Sequence, residues 1–227
     1  MNKQFFQEIE AILEYHFRDP SLLEQALTHI SYANEKWNDP LRCNERLEFL
    51  GDAVLELVTS RFLYERMEVA EGQLSRTRAS LVCERSLAAV ASEKGLGKYL
   101  ILSRGMEMED GRTRPAILED LVESLIGAVY LDGGLEQASA LIHRWILDRW
   151  HQEDDLRDYK TQLQELVQEN PSGAVEYRLE QKSGPAHQPV FTIGVYYNGE
   201  CFGVGSGTSK KEAEQQAAEE ALTRLRG

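Results

Sequence analysis

The chain has 227 residues and a formal net charge of −13, enough length for one large or two ordinary domains but no overall basic surface for a nucleic acid. Residues 158–227 carry 7 basic against 10 acidic side chains and the remainder 18 against 28, so neither part is basic and any contact with a nucleic acid must rest on local patches and metal ions. Cys43, Cys83 and Cys201 show no CxxC spacing, which argues against a structural zinc site and for a reducing compartment. No apolar run of transmembrane length and no signal-type segment is present, so a soluble cytoplasmic protein without a membrane partner is expected.

Residues 1–150 read as almost wholly helical. Phe5, Ile9, Ile12 and Leu13 recur at helical spacing, and Asp19-Pro20 caps and opens a second helix through Leu27. A polar loop is expected over residues 33–40. Asn44 is a fitting N-cap for a long helix to about residue 65. The spacing predicts further helices over 73–94, 115–131 and 135–150, with a connection over 95–111. Residues 151–158 are charged without apolar periodicity and read as an interdomain linker. From residue 159 the pattern becomes α-β-β-β-α, with Asn198-Gly199 as a two-residue hairpin turn. Ser209 and Glu212 form a capping box that opens a last helix.

The helix after Asn44 carries its chemistry on one side. At 100° per residue Glu45, Glu48 and Asp52 fall in one arc, with Leu47, Leu50, Val54, Leu57 and Val58 opposite. The later helix repeats this, with Asp120 and Glu123 on one side and Val122, Leu125, Ile126 and Val129 on the other. Acids on a helix most often form only a solvated face, and the helix dipole alone accounts for Glu45. Gly51, however, costs roughly 1 kcal/mol in mid-helix, which points to close approach by another backbone. Phe49 beside the acids points to a partner surface. Packed together, Glu48, Asp52, Asp120 and Glu123 are an all-oxygen set suited to Mg²⁺ or Mn²⁺, and phosphodiester hydrolysis is the natural chemistry of such a site.

NERLEFLGDAVL at 44–55 and LEDLVESLIGAVYLD at 118–132 resemble the two acidic motifs of the ribonuclease III family; residues 17–35 and 72–82 are also similar to it. The resemblance implies an all-α, homodimeric nuclease domain (1–150), a linker (151–158) and a small α+β double-stranded RNA-binding domain (159–227). It implies Mg²⁺-dependent cleavage of double-stranded RNA to 5′-phosphate and 3′-hydroxyl ends with short 3′ overhangs, in the processing of ribosomal, messenger and other structured precursors. By position, Glu48, Asp120 and Glu123 are implied metal ligands, Asp52 and Glu123 the residues most essential to catalysis, Glu45 an RNA contact, and Phe49 a dimer contact. Glu119 stands where that family commonly has a small residue, and Ser124 where alanine is common.

Lys210 and Lys211 occupy the first turn of the last helix, where the dipole disfavours cations unless an anion such as phosphate binds there. The α-β-β-β-α order and SKKEAEQQAAEEAL at 209–222 resemble the double-stranded RNA-binding domain. That resemblance implies that Gln164 and Gln168 face one minor groove, His187 the next, and Lys210 and Lys211 the phosphates between. Two other classes differ in testable ways. A non-catalytic RNA-binding regulator would lack part of the acid set, which is intact. A di-iron carboxylate bundle needs Glu-x-x-His pairs, and none occurs.

Overall fold

The computed structural model describes residues 3–150, 159–168, 175–184 and 189–226. The chain divides into two compact units, Met1–Trp150 and His151–Gly227. The expected linker over 151–158 lies outside the described residues. Among the described residues no helix is long and apolar enough to cross a membrane.

In the first unit the helices are α1 (Lys3–Leu13), α2 (Pro20–Leu27), α3 (Ile30–Trp37), α4 (Glu45–Arg66), α5 (Glu71–Val82), α6 (Glu84–Glu93), α7 (Arg104–Met108), α8 (Pro115–Gly133) and α9 (Leu135–Trp145). Asp19 caps α2 as expected, its carboxylate accepting the Ser21 N–H at 2.9 Å. Asn44 does not cap α4. Its N–H donates to the Thr28 carbonyl at 2.8 Å, and its backbone is already helical (φ −75, ψ −20) with no side-chain cap bond.

Three expected segments differ. The polar loop over 33–40 is helical as far as Trp37, because α3 is held by its ends and not by an apolar stripe. His29 accepts the Ser31 N–H on Nδ1, and Asn38 closes the helix at φ 51. The single helix over 73–94 breaks at Cys83, which is extended (φ −76, ψ 158). That break lets α5 lie along α4 while α6 turns Leu87, Ala88, Val90 and Ala91 into the core beside α8. The helix over 135–150 stops at Trp145, followed by a short 3₁₀ turn, Leu147–Arg149.

α8 is the central element of this unit. From Leu121 to Val129 every residue is buried, Glu123 included, so its acids are not a solvated face opposite a core face. Ser124 is fully buried, and its hydroxyl lies 2.9 Å from the Ala26 carbonyl and 3.0 Å from Leu121's, tying α8 to α2. α4 crosses α8 with backbones nearly touching. A Cβ on Gly51 would lie 1.8 Å from the Glu123 carbonyl oxygen, and one on Gly127 would lie 2.2 Å from the Leu47 carbonyl oxygen. Leu57, expected in the core, is 57% exposed on the far side of α4.

In the second unit α10 (Tyr159–Gln168) and α11 (Lys210–Arg226) accompany strands β1 (Val175–Ser183), β2 (Val190–Tyr197) and β3 (Glu200–Gly207). The strands form an antiparallel sheet in the order β1-β2-β3. Asn198 and Gly199 turn between β2 and β3 at φ 52 and 84, as a two-residue hairpin requires. Ala213, Ala217, Ala218 and Ala221 are all fully buried, and α11 lies flush on the sheet. A Cβ on Gly205 would meet the Ala213 carbonyl oxygen at 2.2 Å. The capping box is shifted: Ser209 Oγ accepts the Glu212 N–H at 3.1 Å, but the Glu212 carboxylate reaches the N–H and hydroxyl of Thr208 instead of Ser209.

Gly51→Ala has no room to relax, since the atom it meets is backbone. It should cost more than about 2 kcal/mol in urea unfolding. Gly72→Ala, near only the flexible Arg76 side chain at 3.5 Å, should be neutral or slightly stabilising.

Candidate active site

The glycine-mediated crossing of α4 and α8 sets Glu48 and Asp52 beside Asp120 and Glu123. The two glycines leave no side chain between the helices where they cross, so the acids that flank them lie near enough to act on one another. Glu45 stands at the first position of α4, exposed, with the Cys43 thiol 3.6 Å from its carboxylate. Glu48 and Asp120 are half-buried, Asp52 is exposed at the rim, and Glu123 is only 8% exposed.

Burial and mutual repulsion act on these groups together. Glu123 is pushed up to about 8, first by burial and then by Asp52, Glu119, Glu48 and Asp120. Glu48 is pushed up to about 7, first by burial and then by Asp120, Glu45, Glu119 and Asp52. The Asp120 carboxyl is also raised, by burial first, then by Glu45 and Glu84. Elsewhere the chain gives acids cationic partners, as in Glu65–Arg61, Glu109–Arg114 and Glu93–Arg149. Among the described residues none of Glu45, Glu48, Asp52, Asp120 and Glu123 has an ion pair, and Glu123 has no hydrogen-bond partner either. Nor do three of them, among the described residues, already close into a metal cage.

The set fits a hard divalent cation by its chemistry. All donors are carboxylate oxygens, and a nearly buried, unpaired Glu123 lies where a counter-charge is missing. Two further acids, Glu84 at the start of α6 and the half-buried Glu119, act on the same groups. Glu84 was missed by sequence reasoning, because nothing local marks α6 as a neighbour of α8. Gly127 was missed too, although its spacing in an apolar helix was a signal of close packing.

Phe49 is 79% exposed on α4, and Leu57 and Tyr64 (77% exposed) fall within about 80° of it around the helix axis. Leu57 and Tyr64 also line an open groove of about 430 Å³ between α4 and α5. In the second unit, Lys210 and Lys211 are the exposed first two residues of α11, and Gln164 is exposed on α10. Gln168 ends α10 with its side chain outside the described residues, where His187 also lies.

A helical domain that brings the carboxylates of two helices together, joined to an α-β-β-β-α module with lysines at a helix N-terminus, has the make-up of a nuclease acting on structured nucleic acid. Residues 19–150 match the family model described as Ribonuclease-III-like, and residues 159–225 the one described as Double-stranded RNA binding motif. A Ribonuclease 3 of Bacillus licheniformis is 46% identical over 226 residues, covering 97% of this chain and 90% of that protein. One from Bacillus cereus is 46% identical over 227 residues, covering 99% and 93%. The solved nuclease domain of Ribonuclease III from Campylobacter jejuni is 41% identical with a TM-score of 0.59, covering 64% of this chain and 98% of its own. The chain belongs to the ribonuclease III family and is a double-stranded RNA endoribonuclease. The family works with divalent metal ions.

Glu123→Gln should stabilise the metal-free protein at neutral pH. A carboxyl whose pKa is raised on folding penalises the native state as pH rises from the unfolded value near 4.5 through the folded value of about 8. The gain, on the order of 1 kcal/mol, should therefore be present at pH 8 and absent at pH 4; thermal melts in chelator read it.

Proposed function

We propose that the enzyme cuts double-stranded RNA with Mg²⁺, or Mn²⁺ in its place, held by Glu48, Asp120 and Glu123. The observation that carries this reading is Glu123: a residue only 8% exposed, its carboxylate unpaired among the described residues and under the field of four other acids. The bound cation supplies Lewis acidity and charge neutralisation at the scissile phosphodiester. Asp52, exposed at the rim, accepts a proton from the attacking water. Water adds at phosphorus, the bond to O3′ breaks, and the departing O3′ takes a proton from solvent, leaving a 5′-phosphate and a 3′-hydroxyl. Glu45, at the outer end of α4, meets the RNA, and the acid set as a whole argues against a non-catalytic binding protein.

The second unit holds the duplex. Lys210 and Lys211 meet phosphate together with the free N–H groups of α11, while Gln164, Gln168 and His187 read the minor grooves. Two subunits cut the two strands at offset positions, which gives short 3′ overhangs. The Campylobacter jejuni structure concerns a region involved in dimer formation of its nuclease domain. Exposed Phe49, Leu57 and Tyr64 supply an apolar stripe for the same purpose here. The enzyme works in the cytoplasm on ribosomal, messenger and other structured RNA precursors; its three free cysteines suit that compartment.

Long double-stranded RNA should be cut with Mg²⁺ and left intact with chelator. Glu123→Ala should lower the cleavage rate by about 10³-fold or more while retaining RNA binding. Normal cutting by that variant at ordinary metal concentration would overturn the assignment. Removal of 158–227 should weaken RNA binding by roughly tenfold or more at physiological salt, as filter binding would show.

A further inference from the structure

The acid cluster extends beyond the residues that the proposed reaction uses. Glu119 lies four residues before Glu123 on α8, so the two side chains stand on the same face one turn apart. It is half-buried, although its position near the N-terminal end of α8 would allow a solvated side chain. Glu84 opens α6, which packs along α8. Among the described residues neither Glu119 nor Glu84 forms an ion pair or a hydrogen bond through its carboxylate, in a chain that pairs Glu65, Glu93 and Glu109 with arginines. Both act on the inner acids: Glu119 on Glu48 and Glu123, and Glu84 on Asp120.

A half-buried acid without a partner, placed among acids, costs stability and gives nothing back within the fold. It gains something only when a cation enters. We propose that Glu119, supported by Glu84, is an affinity-determining residue of this site, extending the carboxylate cluster outward along α8 and α6 and tightening its hold on a divalent cation. This rests on the cation site proposed above. Glu119 acts through the cation and not on the RNA or the reacting atoms. It sets how low the free cation concentration falls before the site empties.

The test is Mn²⁺ binding to the full-length, chelator-stripped protein by calorimetry, without RNA, beside thermal melts of the metal-free form. Glu119→Gln should weaken Mn²⁺ binding by roughly 3- to 10-fold, the effect of one nearby charge at intermediate dielectric, while raising the metal-free melting temperature. Glu84→Gln, at the exposed start of α6, should weaken binding in the same direction by less. Glu119→Asp should keep most of the affinity. Glu136→Gln, which removes an exposed acid on α9, should change neither reading. Unchanged Mn²⁺ affinity in Glu119→Gln, or an equal loss in Glu136→Gln, would overturn the inference while leaving the inner site standing. A wild-type protein that binds no Mn²⁺ would overturn the inner site as well.

Discussion

The contact between two helix backbones at Gly51 and Gly127 is the constraint on which the rest of the site depends. Helices normally pack 8–10 Å apart, with side chains between them. Here a single methyl on Gly51 would collide with the Glu123 carbonyl. That closeness, more than the number of acids, makes a site of two helices that each carry carboxylates. Ser124 reinforces the arrangement from the other side, because its hydroxyl fixes α8 to α2 within hydrogen-bond distance.

The fold holds an electrostatically unfavourable cluster in place. Burial raises the cost of each charge, and each neighbouring acid raises it again, so Glu123 and Glu48 stand near 8 and 7. The large apolar core around α8, from Leu23 and Leu27 through Leu55, Leu125 and Ile126, supplies the stability that offsets this. An acid set of this kind is poised for a cation at neutral pH, where a proton is its main competitor. The arrangement is a trade of stability for function, and it lies where local rules of sequence and packing are broken.

Much of this was legible in the residues. The acid stripe on α4, its continuation at Asp120 and Glu123, the meaning of Gly51 and the Asn198-Gly199 hairpin all follow from periodicity and backbone preference. What was not legible depended on tertiary context. α8 reads as amphipathic, yet it is surrounded, so Glu123 is buried where its spacing suggested a face. Asn44 has the right side chain for a cap, but a tertiary bond from its N–H to Thr28 accompanies a backbone conformation that does not cap. The continuous helix through Cys83 is broken because α5 and α6 serve different neighbours, which no single-helix pattern records. Glu84 belongs to the acid neighbourhood only through that break. The two lysines of α11 stand out in the sequence because their position contradicts the helix dipole, and the structure leaves both exposed at the start of that helix.

The α4–α8 crossing forces these carboxylates into one shared field that a cation would relieve. The most direct measurement is an NMR titration of the Glu side-chain carboxyl carbons in the metal-free protein, repeated with saturating Mg²⁺. Glu123 and Glu48 should titrate at about 8 and about 7 without metal, well above the other glutamates, and fall sharply when Mg²⁺ is added. Titration of both at ordinary glutamate values, or raised values that Mg²⁺ leaves unmoved, would contradict it.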